Sequence, residues 1–163
     1  MSATPETLYD AIQAKLASYP TRRGAMLPAL HLAQEAYGWL SPEALRACSD
    51  AIGYSPAYCQ AVASFYDMFF LEPVGAHVID VCTNLACALC GAGEVVKAFE
   101  EELGVTVGGT TADGAITLRK AECLGGCSWA PVVAVDERYR ERVGPADVAQ
   151  IVADARAAGV RHA

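Results

Sequence analysis

Residues 77–87 read His-Val-Ile-Asp-Val-Cys-Thr-Asn-Leu-Ala-Cys, so that a β-rich run leads directly into two cysteines with four residues between them. A second run with strand character, residues 115–120, precedes another pair, Cys123 and Cys127, which has three residues between its members. Because each pair follows a predicted strand, each is expected to lie in a loop at the C-terminal end of that strand. Two such loops on neighbouring strands can converge on one small cofactor.

The four cysteines of these pairs, Cys82, Cys87, Cys123 and Cys127, suit an iron–sulfur cluster better than a zinc ion. A 2Fe–2S cluster needs four thiolates, two for each iron, and it tolerates ligands that lie on loops and far apart in sequence. Zinc also accepts four thiolates, but structural zinc sites usually contain two cysteines with only two residues between them. Neither pair has that spacing, so the pattern favours iron–sulfur and leaves zinc as an open alternative.

The second pair encloses two adjacent glycines, Gly125 and Gly126. Without Cβ atoms the backbone can approach a cluster closely and turn its N–H groups toward sulfur, which raises the reduction potential. Ligation by four thiolates acts in the other direction and predicts a low potential, about −400 mV, as in plant-type clusters.

The first part of the chain, about residues 1–72, has the pattern of a small helical bundle. Three predicted helices open with a hydroxyl residue at the N-cap and proline at the first helical position, as Thr4-Pro5, Ser41-Pro42 and Ser55-Pro56. Residues on one face follow helical spacing in four segments: Leu8, Ile12 and Leu16; Leu27, Leu30, Gln34 and Tyr37; Leu45, Cys48 and Ile52; Tyr58 and Val62. We expect the second helix to end at Gly38 and the third at Gly53.

The pattern changes after Pro73-Val74-Gly75, and residues 73–163 are predicted to form a separate α/β domain. Its predicted elements are a strand at 77–81, a helix at 94–103, strands at 115–120, 132–135 and 138–143, and a last helix from Pro145. Asp136-Glu137 is predicted to be the turn between the last two strands. The predicted fold class is therefore α+β, an N-terminal helical bundle followed by an α/β domain.

Composition excludes several classes of function. A net charge of −7 provides no basic surface for the phosphates of a nucleic acid. Residues 1–10 lack the basic and apolar regions of a secretory signal, and no apolar run approaches the roughly 20 residues of a membrane-spanning helix. We therefore expect a cytoplasmic protein without direct membrane insertion, in which clustered cysteines are more often metal ligands than disulfides.

The cysteine segments resemble the thioredoxin-like 2Fe–2S subunit of respiratory complex I. They read Cys82-Thr-Asn-Leu-Ala-Cys87-Ala-Leu-Cys-Gly91-Ala92 and Glu122-Cys123-Leu-Gly-Gly-Cys127-Ser-Trp-Ala130-Pro131. The resemblance extends in order along nearly the whole chain, through Pro28-Ala-Leu-His-Leu-Ala-Gln34, Gly38-Trp-Leu40, Ala63-Ser-Phe-Tyr66, Thr111-Ala-Asp-Gly114 and Asp136-Glu-Arg-Tyr139. Ser64 stands where the family usually has threonine.

The resemblance implies that Cys82, Cys87, Cys123 and Cys127 hold one 2Fe–2S cluster and that the second domain is thioredoxin-like. It also implies a partner, the NADH-binding flavoprotein, which carries FMN and NADH, in a complex I-type NADH-quinone oxidoreductase peripheral to the inner membrane. No Gly-rich phosphate loop occurs in this chain, which agrees with nucleotide binding on a partner subunit. The equivalent subunit of an NAD-reducing hydrogenase or an NAD-dependent formate dehydrogenase remains an alternative.

Cys90 departs from the family, which usually has another residue there. We interpret it first as a small buried residue at the start of a helix; it could instead tune the cluster or exchange with Cys87 as a ligand. Cys87-Ala-Leu-Cys90 also matches the C-x-x-C of a thiol–disulfide oxidoreductase, in which a helix N-terminus lowers the pKa of the nucleophile. That alternative leaves the other three loop cysteines without a role.

The remaining candidate residues are given structural interpretations. Cys48 and Cys59 fall at core positions of the helical part, and free cysteine packs as a small hydrophobic residue. Trp129 is expected either to shield the cluster from water or to pack normally. The histidines His31, His77 and His162 are predicted to be structural. The arginines Arg138, Arg140 and Arg142 alternate along a predicted strand and are predicted to form a solvated face.

Overall fold

The computed structural model describes residues 5–159, so the predicted cap Thr4 and His162 lie outside the described residues. The chain divides into two compact units, of which the first ends at Pro73 and the second begins at Val74. None of the helices within the described part has the length and apolar character needed to cross a lipid bilayer.

The first unit contains four helices: α1 (Pro5–Leu16), α2 (Met26–Tyr37), α3 (Pro42–Ile52) and α4 (Pro56–Ala63), with a 3-10 turn at Arg22–Ala25 before α2. The predicted caps are confirmed, because Ser41 Oγ accepts a hydrogen bond from the Ala44 N–H at 3.0 Å and Ser55 Oγ accepts one from the Tyr58 N–H at 3.2 Å. The helices α2 and α3 end at Gly38 and Gly53, as predicted.

One hydrophobic core holds these helices together. Its buried members include Leu8, Ile12, Met26, Leu30, Leu40, Leu45, Cys48, Ile52, Cys59 and Phe69. A polar side chain also contributes, since the buried Gln34 donates from Nε2 to the Met68 carbonyl and accepts at Oε1 from the Phe70 N–H, both at 2.8 Å. These bonds pin the segment that follows α4 to α2.

The second unit is a four-stranded mixed sheet with helices. Its elements are β1 (His77–Cys82), α5 (Leu85–Leu89), α6 (Ala92–Leu103), β2 (Ile116–Ala121), β3 (Val133–Val135), β4 (Arg138–Arg140) and α7 (Val148–Ala157), and the sheet order is β2-β1-β3-β4. The strands β1 and β2 are parallel, whereas β3 pairs antiparallel with both β1 and β4. The predicted α+β fold class is confirmed.

The core of this unit lies between the sheet and the helices α6 and α7. Buried members from the strands are Ile79, Val81, Ile116, Leu118, Val133 and Val135, and those from the two helices include Val95, Phe99, Leu103, Ile151 and Val152. Phe99 is fully buried, and Val95, Val96 and Leu103 on the same helix pack in the same cluster.

The structure differs from the predicted elements in three places. The five-residue α5 was not predicted, because a single turn of helix presents too few positions to show periodicity. The predicted last strand is shorter and ends at Arg140, since Arg142 adopts a left-handed conformation and its N–H donates to the Trp129 carbonyl. A 3-10 turn at Pro145–Asp147 precedes α7.

The turn between β3 and β4 is formed by Asp136 and Glu137, as predicted. Both have positive φ angles, 47° and 66°, which a two-residue hairpin turn of type I′ requires. Asp136 is suited to this conformation because its carboxylate accepts from the Val78 N–H at 2.9 Å and lies 2.6 Å from Nδ1 of the buried His77. His77 therefore has a structural role.

Candidate metal centre

The parallel pairing of β1 and β2 brings the two cysteine pairs to one edge of the sheet. Cys82 is the last residue of β1 and lies opposite Ala121, the last residue of β2. The Thr83 N–H donates to the Ala121 carbonyl at 3.0 Å and extends the pairing by one step. Because parallel strands end at the same edge, the loop that carries Cys123 begins beside Cys82.

The first pair is buried, and its two side chains belong to one small apolar cluster. Cys82 is 4% exposed and Cys87, on α5, is 2% exposed. The helix α5 is capped by Asn84, whose Oδ1 accepts from the Leu85 N–H at 2.7 Å, and the helical turn directs Cys87 into the same buried cluster as Cys82. Both cysteines pack against Ala92 and Val132.

Backbone N–H groups from several segments point at the sulfurs. Those of Asn84 and Leu124 donate to Cys82, that of Val132 donates to Cys87, and that of Gly125 lies 3.4 Å from Cys123 Sγ. Hydrogen bonds from backbone N–H groups stabilise a thiolate over a thiol, which is the state that binds a metal.

The pKa values of the first pair move in opposite directions. Burial raises the pKa of the Cys82 thiol, but the N–H groups of Asn84 and Leu124 and the contact with Cys87 outweigh it and leave the pKa lowered. For Cys87, burial raises the pKa and the Val132 N–H lowers it. Cys82 and the charge of Cys127 raise it again, so that the net shift is upward.

The second pair is exposed and lies on a loop that needs both of its glycines. Gly125 has a φ of +77°, and a Cβ at Gly126 would lie only 2.9 Å from Cγ2 of the buried Val132. Gly125 thus supplies a left-handed conformation and Gly126 allows close approach. The loop then enters a 3-10 turn that begins at Cys127, and the Ala130–Pro131 peptide that follows is cis.

The predicted ligands therefore divide into a buried pair, Cys82 and Cys87, and an exposed pair on the neighbouring loop, Cys123 and Cys127. All seven cysteines are free thiols. Within residues 5–159, no group of three or more His, Cys, Asp or Glu side chains is arranged to hold a metal ion. A 2Fe–2S cluster takes two thiolates for each of two irons, so its ligands do not surround a single point.

The prediction that Cys90 is buried at the start of a helix is wrong. Cys90 is exposed at the end of α5, where its N–H bonds to the carbonyls of Ala86 and Cys87 at 3.1 Å. So short a helix turns only Cys87 fully inward and leaves Leu85 and Leu89 exposed as well. Burial and the neighbouring Cys82 leave the pKa of Cys87 raised, which does not favour Cys87 as the nucleophile of the C-x-x-C alternative.

Other candidate residues have ordinary structural surroundings. Cys48 and Cys59 are fully buried in the first unit, as predicted. His31 packs against Phe69 with ring centroids 4.8 Å apart. Trp129 is 46% exposed, which excludes normal core packing for its ring.

Comparison with known proteins identifies the family. The profile of the thioredoxin-like 2Fe-2S ferredoxins matches residues 12–156. The chain belongs to the thioredoxin-like 2Fe-2S ferredoxin family. The resemblance seen in the cysteine segments is thereby confirmed for most of the chain.

Relatives of this ferredoxin include a component of the NADH-quinone oxidoreductase of Mycobacterium tuberculosis, 41% identical over 82% of this chain and 53% of the relative. A component of the NADH-quinone oxidoreductase of Rhizobium meliloti is 37% identical over 93% of this chain and 90% of the relative. Among solved structures, an NAD+-reducing NiFe-hydrogenase in the H2-reduced state matches with a TM-score of 0.73 at 25% identity, covering 85% of this chain and 23% of that one. The chain thus spans about half the length of the mycobacterial relative.

The site of this ferredoxin fits the cofactor that gives the family its name. The candidate donor set consists of four thiols on two segments that begin at one edge of the sheet, and backbone N–H groups are directed at three of the sulfurs. Sequence reasoning predicted N–H donors only from the glycines between Cys123 and Cys127. It missed Asn84 and Val132: the pattern Thr-Asn-Leu-Ala-Cys contained the N-cap signal of Asn84, whereas nothing local to Val132 indicates that it faces Cys87.

Proposed function

We propose that this chain is an electron-transfer subunit that binds one 2Fe–2S cluster through Cys82, Cys87, Cys123 and Cys127. The parent complex is an NADH-quinone oxidoreductase, and the electron partner is the FMN of an NADH-oxidising flavoprotein subunit. Family membership supports the cluster, and the names of the relatives support the parent complex. The observation that carries the assignment of the ligands is the register of β1 and β2, which starts both cysteine loops at the same edge.

A bound 2Fe–2S cluster would supply one-electron transfer, whereas NADH delivers a two-electron hydride, so a flavin on the partner subunit belongs to the proposal. The residues of this chain would hold and insulate the cluster. The N–H groups of Asn84, Leu124, Gly125 and Val132 stabilise negative charge on the ligand sulfurs. The apolar contacts of Ala92 and Val132 exclude water from the first pair, while the exposed second pair faces outward.

The helical unit, residues 1–72, is the proposed docking platform for the flavoprotein, because none of the proposed ligands lies in it. Through that partner the chain would be cytoplasmic and peripheral to the inner membrane. An NAD-reducing hydrogenase is the second candidate for the parent complex, favoured by the structural match to such an enzyme. Identification of the subunits that co-purify with the chain distinguishes the two.

The first experiment is iron and acid-labile sulfide analysis of the anaerobically purified chain, with EPR after dithionite reduction. We expect about two irons and two sulfides per chain and the rhombic signal of a reduced 2Fe–2S cluster. Replacing any one of the four ligand cysteines by alanine should abolish or strongly change the signal. Cys90→Ala is the matched control, since it removes an exposed thiol three residues from Cys87, and it should retain iron and signal.

Two results would contradict the proposal. Zinc in place of iron, without sulfide, would make the site a structural metal centre. Loss of the cluster in Cys90→Ala but not in Cys87→Ala would move one ligand to Cys90 and contradict the assigned set.

A further inference from the structure

A tyrosine on the hairpin of β3 and β4 contacts the loop that carries the second cysteine pair. Tyr139, the middle residue of β4, donates from its hydroxyl to the Leu124 carbonyl at 2.5 Å. Val133 and Val135 of β3 face the core between the sheet and the helices. Ala134 lies between them and faces the other way, and Tyr139 is its cross-strand partner. From that face of the sheet, the hydroxyl reaches the loop between the two proposed ligands of the second pair.

The accepting carbonyl belongs to the same peptide unit as an N–H that points at a proposed ligand. The peptide bond between Leu124 and Gly125 joins the Leu124 carbonyl to the Gly125 N–H, whose nitrogen lies 3.4 Å from Cys123 Sγ. The C=O and N–H of a trans peptide point in opposite directions, so this unit links Tyr139 on one side to Cys123 on the other. The result is a chain of two hydrogen bonds that runs from the Tyr139 hydroxyl to the Cys123 sulfur.

Gly125 allows this orientation of the peptide but does not enforce it. Its φ is +77°, and glycine adopts positive and negative φ about equally well, so rotation of the peptide between Leu124 and Gly125 costs little backbone energy. A contact from outside the loop is needed to keep the carbonyl turned toward β4 and the N–H turned toward the sulfur. The Tyr139 hydroxyl supplies that contact, because the pairing of β4 with β3 fixes the position of its backbone.

Polarisation adds to this positioning effect. A donor on the carbonyl oxygen draws electron density away from the peptide nitrogen and makes its N–H a stronger donor, so the two hydrogen bonds strengthen each other. An N–H directed at a ligand sulfur stabilises negative charge, and reduction adds one negative charge to a cluster. The chain of hydrogen bonds therefore favours the reduced state over the oxidised one.

We propose that Tyr139 is a positioning residue that raises the reduction potential of the cluster by holding and polarising the peptide between Leu124 and Gly125. The inference rests on the proposed function, since it requires a 2Fe–2S cluster on the four cysteines. The side chain of Tyr139 is 51% exposed, so replacing it by phenylalanine removes the hydroxyl without leaving a cavity in a core. That substitution separates an effect on the potential from an effect on folding.

The test is a redox titration of the full-length chain with its cluster, followed by EPR, on the wild type, Tyr139→Phe and Tyr9→Phe. Tyr9→Phe is the matched control, because Tyr9 is 47% exposed and lies on α1 in the helical unit. We expect Tyr139→Phe to keep its iron and sulfide and to have a lower potential than the control. The equilibrium constant for reduction should fall about two- to tenfold, which is about 18–59 mV for a one-electron couple.

A stronger donor at the same position gives the opposite change. Fluorine beside the phenol hydroxyl makes that hydroxyl a stronger hydrogen-bond donor, so incorporation of 3-fluorotyrosine in place of Tyr139 should raise the potential above that of the wild type. The titration is run in mildly acidic buffer, where the phenol keeps its proton. This variant retains the hydroxyl and decides the question even if Tyr139→Phe loses its cluster. A purely structural role would change the iron content or the melting temperature, and the potential would not follow the donor strength in both directions.

Two results would overturn the inference. One is equal potentials in Tyr139→Phe and Tyr9→Phe, and the other is a lowered potential in the fluorotyrosine chain, since the ring would then act only by disturbing the loop. Either result in chains with full iron, sulfide and EPR signal leaves the proposed function in place. A wild-type chain without iron and sulfide would contradict the proposed function, and this inference with it.

Discussion

Val132 connects the two cysteine loops at the scale of single residues. Its N–H donates to Cys87, its side chain packs with Cys82 and Cys87, and its Cγ2 occupies the space that a Cβ at Gly126 would need. The position of the loop that contains Gly126 and the hydrogen bond to Cys87 therefore both depend on where Val132 lies.

Replacing Gly126 by alanine should disturb the site through Val132. The added methyl group would lie 2.9 Å from Val132 Cγ2, closer than packed carbons approach, so Val132 or the loop must move. We expect the free energy of unfolding to fall by about 1–3 kcal/mol and the iron content to decrease. Chemical denaturation and iron analysis measure the two effects.

The control for this substitution is Gly93→Ala on α6, where an added Cβ has no atom within 4 Å and φ is not positive. It should be neutral or stabilise by about 0.4–1 kcal/mol, because alanine restricts the unfolded chain. The double variant Gly126→Ala with Val132→Ala should recover part of the lost iron. Equal stability of Gly126→Ala and the wild type would show that the loop accommodates a side chain.

Asp113 links two elements of the second unit. Its carboxylate accepts from the Thr111 hydroxyl and the Ala115 N–H in the segment before β2, and it pairs with Arg156 on α7. The Thr111 hydroxyl, the Arg156 guanidinium and the Ala115 N–H together hold the pKa of this carboxyl well below its usual range.

This link should make part of the stability depend on pH. Because the pKa of Asp113 is depressed in the folded state, its contribution is fully present above the unfolded value of about 3.9 and is lost as the pH falls toward the folded value. Asp113→Asn should therefore melt at a lower temperature than the wild type at pH 7. The effect is expected to be small, since the pair is exposed and screened by solvent.

Melting curves from pH 7 down to pH 3 test this, with Asp50→Asn on the exposed side of α3 as the control. The difference between wild type and Asp113→Asn should shrink below about pH 4, where the unfolded carboxyl is protonated. A difference that stays constant over the range would show that the carboxylate charge has no part in the link.

At the scale of the whole molecule, the described residues form hydrophobic clusters within each of the two units. One hydrophobic cluster runs from Leu8 to Phe69 within the helical unit. The others run from Ile79 to Ala155 within the second unit, which also contains all four proposed ligands. We therefore propose domains of residues 1–72 and 73–163, each with a core of its own.

Deleting residues 1–72 should leave the absorption and EPR spectra of the cluster intact, because the sheet, its helices and the ligands all belong to the remaining unit. The same deletion should abolish co-purification with the flavoprotein if the helical unit is the docking platform. The full-length chain and Cys90→Ala serve as controls for binding. Retained binding by the truncated chain would refute the docking role, and loss of its cluster would refute the independence of the second domain.

Much of the fold and the proposed site could be predicted from local features of the sequence. Ser41-Pro42 and Ser55-Pro56 mark helix starts because an N-cap bonds to backbone only three residues away. Asp136-Glu137 marks a hairpin turn because such a turn depends on the backbone conformation of its own two residues. The two cysteine pairs mark loops because each pair follows a β-rich run. Such features involve neighbours along the chain, so the sequence displays them directly.

Contacts between distant segments depended on the tertiary structure. The exposure of Cys90 follows from where the short α5 ends. The hydrogen bonds from Leu124 to Cys82 and from Val132 to Cys87 join residues about 40 positions apart in the sequence. By itself the sequence determined most of the elements, the family and the proposed ligand set. Only the tertiary structure decided which cysteines of the second unit are buried and what they contact, because their burial depends on packing against residues that no local pattern specifies.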